Sequence, residues 1–106
     1  MSAATSVLQF IADENSQHQV VIWSKSYCPY CTSAKNLFKN SVTPKPTDVQ
    51  IYELDRMPNG AAIQNELYNI TKQRTVPNVF IKNQHVGGND DCQQLHRTGK
   101  LTELLL

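Results

Sequence analysis

The chain has 106 residues, close to the common size of one domain, so we expect a single domain over residues 1–106. Hydrophobic residues make up 40% and charged residues 18%, which is typical of a folded protein and argues against a disordered chain. The formal net charge is +1, with charges of both signs scattered along the chain, so the sequence predicts no surface for nucleic acid or lipid.

The cysteines and the N-terminus indicate where such a chain would work. Three cysteines make an odd number, which argues against the disulfide scaffold of a small secreted protein. Residues 1–5 lack the basic stretch and apolar core of a secretory signal, and no apolar run is long enough to cross a membrane. We therefore expect a cytoplasmic protein without membrane contact, in a compartment where thiols stay reduced.

Hydrophobic spacing and turn residues predict the order helix, strand, helix, strand, helix, strand, strand, helix, helix. The predicted elements cover residues 2–14, 20–23, 32–40, 49–54, 61–71, 79–81, 84–86, 89–98 and 101–105. A strand–helix–strand crossover makes two strands parallel, and the final hairpin adds an antiparallel pair. The sequence therefore predicts an α/β fold, with a four-stranded mixed sheet flanked by helices on both faces.

Apolar side chains at helical spacing predict which helix faces cover the sheet. The side chains expected to point inward are Val7, Leu8, Ile11 (with Phe10 alongside), Ala34, Leu37, Phe38, Ile63, Leu67, Ile70, Leu101, Leu104 and Leu105. The run 20–23 is apolar at every position, which predicts a strand that is buried on both of its faces.

Two cysteines, Cys28 and Cys31, stand three positions apart between the first strand and the second helix. At the first turn of a helix, backbone N–H groups that lack helical partners point at the first sulfur. A helix N-terminus, a nearby lysine such as Lys25 and the Cys-X-X-Cys context all favour the reactive thiolate. We interpret the stretch as a redox dithiol, and its place beside a strand–helix–strand unit is typical of the thioredoxin-like fold.

Three motifs, in their order and spacing, make the chain resemble a known family over its whole length. They are Cys28-Pro29-Tyr30-Cys31, Thr75-Val76-Pro77 and Gly87-Gly88-Asn89-Asp90-Asp91. Together they resemble the dithiol glutaredoxins, and in particular the yeast cytosolic type. The resemblance implies a glutathione-dependent thiol–disulfide oxidoreductase with a thioredoxin-like fold.

The resemblance also implies how the chemistry is divided. Cys28 would be the nucleophile and Cys31 the resolving thiol. The partners would be glutathione, glutathionylated proteins and proteins that contain disulfides, and the enzyme would act as a monomer. Glutathione would be a cosubstrate, with no tightly bound cofactor and no metal.

The same resemblance assigns residues that would bind glutathione. Lys25 and Gln64 would hold its glycine carboxylate. A solvent-exposed side chain without a ligand is nearly as good an interpretation of Gln64. Val76 would pair its backbone with the cysteinyl part of the tripeptide, presented by a cis peptide bond before Pro77. Tyr30 and Thr75 are also assigned to glutathione, although a hydrogen bond to its own loop would by itself explain Thr75.

The γ-glutamyl end of glutathione would bind beside the glycine pair, through Gly88, Asp90 and Asp91. Free backbone N–H groups at a helix start bind a carboxylate, and an Asp side chain accepts hydrogen bonds from an ammonium group. Asp90 and Asp91 are also good helix caps, and capping alone would explain them. Two positions depart from the family pattern: many vertebrate members carry a cysteine where Asn89 stands, and Cys92 has no role in the pattern.

Three other functions stay open on the sequence alone. A zinc site is one, because Cys28, Cys31, Cys92 and His96 form an acceptable ligand set on paper, although a strand-to-helix junction is unlike a zinc knuckle. An iron–sulfur carrier bridged by glutathione is the second, and it would favour a small residue where Pro29 stands. A non-catalytic module of the same fold is the third, and it would not need the intact cysteine pair.

Overall fold

The computed structural model describes residues 3–106, and within this range one mixed sheet of four strands and five α-helices is present. In chain order the elements are α1 Ala3–Gln17, β1 Val20–Ser24, α2 Pro29–Asn36 with a π-helical turn Leu37–Ser41, β2 Val49–Glu53 with a 3-10 turn Leu54–Arg56, α3 Gly60–Thr71, β3 Asn78–Ile81, β4 Gln84–Gly87, α4 Asn89–Arg97 and α5 Lys100–Leu105. The predicted element order is confirmed. Ser2, where the first helix was predicted to start, lies outside the described residues.

Strand β1 is central, and the sheet order is β2-β1-β3-β4. It pairs in parallel with β2, where Val20 lies opposite Val49, and antiparallel with β3, where Val20 lies opposite Ile81. Strands β3 and β4 form the antiparallel hairpin. All five residues of β1 are buried, as expected for an apolar strand that is covered by helices on both faces.

Successive side chains of β1 point to opposite faces and enter two separate hydrophobic clusters. Val20 and Ile22 pack into a cluster with residues of the π-helical turn after α2, of α4 and of α5. Val21 and Trp23 pack into the other cluster with residues of α1 and α3. The predicted arrangement, with helices on both faces of the sheet, is therefore confirmed. Within the described residues no helix is both long and apolar enough to cross a membrane.

Trp23 explains why α1 extends beyond its predicted end. The polar run after Glu14 was expected to stop the helix, but Asn15 is buried and its Oδ1 accepts a hydrogen bond from Trp23 Nε1 at 3.0 Å. A buried indole needs an acceptor for its N–H group, so a polar residue is required at this inward position. The helix therefore continues to Gln17.

Two predicted core positions are wrong. Ile70 is 44% exposed and Leu8 is 42% exposed. At the end of α3 the half-buried Thr71, and not Ile70, contacts β3. The Thr71 hydroxyl accepts a hydrogen bond from Asn78 Nδ2 at 3.3 Å. Leu8 lies about 100° around the helix from Val7, whose side chain does face the core, and so it falls on the solvent side.

Candidate active site

Cys28 is the N-cap residue of α2. Its backbone is extended, with φ −88° and ψ 118°, and Pro29 occupies the first turn, where its missing N–H costs nothing. The backbone N–H of Cys31 donates to Cys28 Sγ at 3.3 Å, so sulfur takes the place of the usual capping oxygen. The positive end of the helix dipole therefore faces this sulfur and stabilises negative charge on it.

Cys31 lies one turn further along and differs from Cys28 in its surroundings. Cys31 is fully buried, whereas Cys28 is partly accessible. Burial raises the pKa of the Cys31 thiol, and the hydrogen bond from the backbone N–H of Lys25 at 3.5 Å only partly opposes that rise. Within residues 3–106, which include every cysteine of the chain, all the cysteines are free thiols.

A carboxylate beneath the loop before Cys28 was missed by the sequence reasoning. Asp55 accepts the backbone N–H of Ser26 at 2.9 Å and also the Ser26 hydroxyl. These hydrogen bonds from Ser26 lower the pKa of Asp55. The order of the elements could have predicted this contact, because Asp55 follows β2 and Ser26 follows β1. The carboxyl ends of two adjacent parallel strands meet at the same edge of a sheet, so residues that follow them are neighbours.

A groove of about 510 Å³ opens beside Cys28. Its lining residues are Tyr30, Gln73, Thr75, Val76, Pro77, Gly88, Asn89, Asp90 and Asp91. One wall is the loop before β3, in which the Val76–Pro77 peptide bond is cis. The Val76 carbonyl lies 3.7 Å from Cys28 Sγ, so this wall ends at the Cys28 sulfur.

The other wall is the start of α4. Gly87 adopts φ +130°, and a side chain there would collide with the Asp91 carboxylate, so glycine is required. Asp91 Oδ2 accepts the backbone N–H of Gly88 at 3.0 Å, which makes Asp91 part of the helix cap as well as of the groove. Asp90 is exposed at the same helix start.

Two residues named from the sequence do not line the groove. Lys25 is half-buried, and its backbone N–H points at the Cys31 sulfur. The amide Nε2 of Gln64 donates to the carbonyl of Arg74 at 3.0 Å, and the Arg74 guanidinium lies 3.9 Å from the centre of the Tyr68 ring. The role of Lys25 and Gln64 toward a glycine carboxylate stays a prediction.

Gln73 and Asn89 are lining residues that the sequence reasoning did not assign. Gln73 stands two positions before Thr75, and the exposed His85 on β4 is hydrogen-bonded to Gln73. Partial burial lowers the pKa of His85, and the negative charge of Asp91 opposes that effect.

The zinc alternative has no matching geometry. Cys92 lies in the core cluster with β1 and β3, away from solvent, and burial together with the charge of Asp91 raises its pKa to about 12. Within residues 3–106, no three side chains of His, Cys, Asp or Glu are grouped so that they could hold a metal ion. The ligand set proposed from Cys28, Cys31, Cys92 and His96 is therefore not formed.

A dithiol at the junction of a central strand and a helix, next to a loop with a cis proline, defines a thiol–disulfide oxidoreductase of thioredoxin-like fold. The family model described as Glutaredoxin matches residues 20–86. Glutaredoxin-1 of Saccharomyces cerevisiae is 44% identical over 99 residues, which are 92% of this chain and 89% of that protein. Glutaredoxin-2 of Schizosaccharomyces pombe is 41% identical over 96 residues, or 91% and 84% of the two chains.

Solved structures agree with this result. The crystal structure of the buckwheat glutaredoxin–glutathione complex has 40% sequence identity and a TM-score of 0.89, and covers 96% of this chain and 89% of that one. Wheat glutaredoxin has 39% identity and a TM-score of 0.88, with 97% and 95% covered. The chain belongs to the glutaredoxin family and is an enzyme of that class, a glutathione-dependent thiol–disulfide oxidoreductase. The family and fold that the motifs predict are confirmed.

Proposed function

We propose that this enzyme reduces mixed disulfides between glutathione and protein thiols, with Cys28 as nucleophile, and that it also reduces protein disulfides with the help of Cys31. The observation that carries the proposal is the Cys28 sulfur. It is partly accessible, it accepts the Cys31 N–H at 3.3 Å, and it stands at the end of a groove of tripeptide size. The glutathione complex of the related buckwheat protein supports glutathione as the occupant of that groove.

The first reaction is thiolate–disulfide exchange. The Cys28 thiolate attacks the glutathione sulfur of a mixed disulfide, so that a Cys28–glutathione disulfide forms and the bond to the protein sulfur breaks. The protein thiolate leaves and takes a proton from water. A second glutathione thiolate then attacks the glutathione sulfur held on Cys28, which releases oxidised glutathione and restores the Cys28 thiolate.

The second route uses both cysteines. After Cys28 has formed a mixed disulfide with a protein, the Cys31 thiolate attacks the Cys28 sulfur, which releases the protein thiol and leaves a Cys28–Cys31 disulfide. Burial raises the pKa of the Cys31 thiol, so Cys31 is a poor first nucleophile and is suited only to this intramolecular step. Two molecules of glutathione then reduce the internal disulfide.

The groove offers complementary chemistry to each part of glutathione. At the start of α4, backbone N–H groups face the γ-glutamyl carboxylate and the carboxylates of Asp90 and Asp91 face its ammonium group. The Val76 backbone stands beside Cys28, where the cysteinyl part must lie for its sulfur to be attacked. Lys25 and Gln64 are assigned to the glycine carboxylate beyond this loop.

The setting that we propose is a monomer in the cytoplasm, with glutathione as its only cosubstrate and no bound cofactor. The odd number of three cysteines argues against a secreted disulfide scaffold and fits a reducing compartment. Pro29 in the first turn of α2 supports catalysis over the bridging of an iron–sulfur cluster, because its rigid ring restricts the turn between the two cysteines.

Substrate selectivity tests the proposal. Turnover of the cysteamine–glutathione mixed disulfide is followed through NADPH consumption by glutathione reductase, and the cysteamine–cysteine mixed disulfide is the matched control. The proposal expects a strong preference for the glutathione compound, because only that compound fills the groove. Equal kcat/KM values for the two compounds would contradict it.

A further inference from the structure

One glutamine side chain ties together the loop that forms the first wall of the groove. Gln73 Nε2 donates to the carbonyl of Thr75 at 3.0 Å and to the carbonyl of Pro77 at 2.9 Å. These two carbonyls flank Val76, whose own carbonyl lies 3.7 Å from Cys28 Sγ. The orientation of the Val76 backbone is therefore fixed from both sides by a single amide group.

The orientation of that amide follows from its partners. A carbonyl oxygen only accepts hydrogen bonds, so the NH₂ group of Gln73 must face the loop and its Oε1 must face away. Oε1 lies 3.1 Å from Nε2 of His85 on β4. Since Oε1 also only accepts, His85 Nε2 must carry a proton, and this defines the tautomer of the neutral ring.

The ring of His85 is itself held in place. Its centre lies 5.3 Å from the centre of the Phe80 ring on the neighbouring strand β3. The second wall of the groove lies close to this side chain, because a side-chain carbon placed on Gly88 would lie 3.6 Å from the Pro77 carbonyl and 3.8 Å from Gln73 Nε2. The Gln73 amide therefore lies near both walls.

We propose that Gln73 and His85 form a positioning relay, in which His85 orients the Gln73 amide and Gln73 holds the Thr75–Pro77 loop in the conformation that receives the substrate. Neither residue touches the reacting sulfur, so both are positioning residues. The proposal rests on the proposed function, because the substrate in question is the glutathione half of a mixed disulfide. It goes beyond that function by assigning two residues that the family motifs do not contain.

The first test does not involve glutathione. Long-range ¹H–¹⁵N correlation spectra at pH 8 report which ring nitrogen of neutral His85 carries the proton. The relay requires protonation at Nε2 alone in the wild type and the appearance of a minor Nδ1-protonated form in Gln73→Met, which keeps the length of the side chain but has no polar amide. The minor form is expected because a free neutral imidazole prefers Nε2 only in part, so the hydrogen bond to Gln73 must complete that preference. Protonation at Nδ1 in the wild type would overturn the relay.

The second test separates the hydrogen bond from the bulk of the ring. His85→Phe keeps an aromatic ring against Phe80 but has no donor, whereas His85→Gln keeps a donor at the reach of Nε2. For the glutathione mixed disulfide we expect His85→Phe and Gln73→Met to raise KM roughly three- to tenfold with kcat close to the wild-type value, as for loss of a hydrogen bond that positions substrate. His85→Gln restores the KM.

Gln84→Met is the matched control, since Gln84 is exposed on β4 next to His85 and does not line the groove. It should leave KM unchanged. Wild-type KM values in both His85→Phe and Gln73→Met would overturn the relay, and so would a His85→Gln variant as impaired as His85→Phe. Absence of turnover by the wild type would instead contradict the proposed function, and the tautomer of His85 would still decide whether the relay exists.

Discussion

The backbone N–H of Cys31 lies 3.3 Å from the sulfur of Cys28 and donates a hydrogen bond to it. The two cysteines of the motif are therefore unequal, because one sulfur caps the helix and the other is buried behind it. The partial positive charge at the helix start faces the Cys28 sulfur, whereas burial raises the pKa of the Cys31 thiol. This difference supports the proposed division of roles, with Cys28 as nucleophile and Cys31 as resolving thiol.

Alkylation should reveal the inequality directly. We expect iodoacetamide at pH 7 to label Cys28 much faster than Cys31, because Cys31 is fully buried and its thiol has a raised pKa. Cys92, whose pKa is raised to about 12, should stay unlabelled in the folded protein even at pH 9 and react only in denaturant. Peptide mass spectrometry after timed quenching measures the three rates. Equal labelling of Cys28 and Cys31 would contradict this picture.

The carboxylate of Asp91 should contribute its charge to glutathione binding. In Asp91→Asn the amide oxygen can still accept the Gly88 N–H, so the cap of α4 is kept while the charge is lost. A hydrogen bond to a charged group contributes about 1.5–3 kcal/mol, so kcat/KM for the glutathione mixed disulfide should fall roughly ten- to hundredfold. The exposed Glu103→Gln on α5 is the control. An unchanged kcat/KM, with the thermal midpoint also unchanged, would contradict a role of Asp91 in binding glutathione.

The link between Ser26 and Asp55 should make stability depend on pH. Because the pKa of Asp55 is lowered in the folded state, its stabilising effect is present above the unfolded value of about 3.9 and is lost as the pH falls through the folded value. Asp55→Asn should therefore have a lower Tm than the wild type at pH 7, and the gap should be smaller at pH 3, which lies below the unfolded value. Scanning calorimetry at both pH values measures the gap. A gap of the same size at pH 3 and pH 7 would show that the charge is irrelevant.

The hydrogen bond between Trp23 and Asn15 should matter for stability and not for chemistry. Asn15→Leu leaves the buried indole N–H without an acceptor, which costs about 1–3 kcal/mol in the free energy of unfolding. Urea denaturation, followed by the fluorescence of the single tryptophan, measures this loss. Asn65→Ala, an exposed position in α3, is the control. A variant as stable as the wild type would contradict the assignment.

The sheet and its helices were readable from the sequence because residues 20–23 of β1 are all apolar and the helices repeat their apolar residues at regular spacing. The errors fall where a polar group has a tertiary partner. Asn15 reads as a helix terminator until Trp23 is seen to need its oxygen. Spacing alone also cannot show that Thr71, with a hydroxyl that contacts Asn78, takes the inward role expected of Ile70.

Only those residues of the site that belong to short sequence motifs could be predicted from the sequence. Cys28, the loop at Pro77 and the glycine pair before Asp91 belong to short local patterns with a clear physical purpose. Asp55 and Gln73 belong to no such pattern, because each acts through a hydrogen bond to a backbone group in a different part of the chain or around a turn. Contacts of that kind depend on three-dimensional placement, which residue types in one sequence do not encode locally.

The division of roles between Cys28 and Cys31 is the central claim, and the two single serine variants test it most directly. Each variant is assayed on the cysteamine–glutathione mixed disulfide and on a protein disulfide. Cys28→Ser should have no turnover on either substrate. Cys31→Ser should keep much of the wild-type activity on the mixed disulfide, because a second glutathione replaces the resolving thiol, and should lose the reduction of the protein disulfide. A Cys31→Ser variant that is as inactive as Cys28→Ser on the small mixed disulfide would contradict the account.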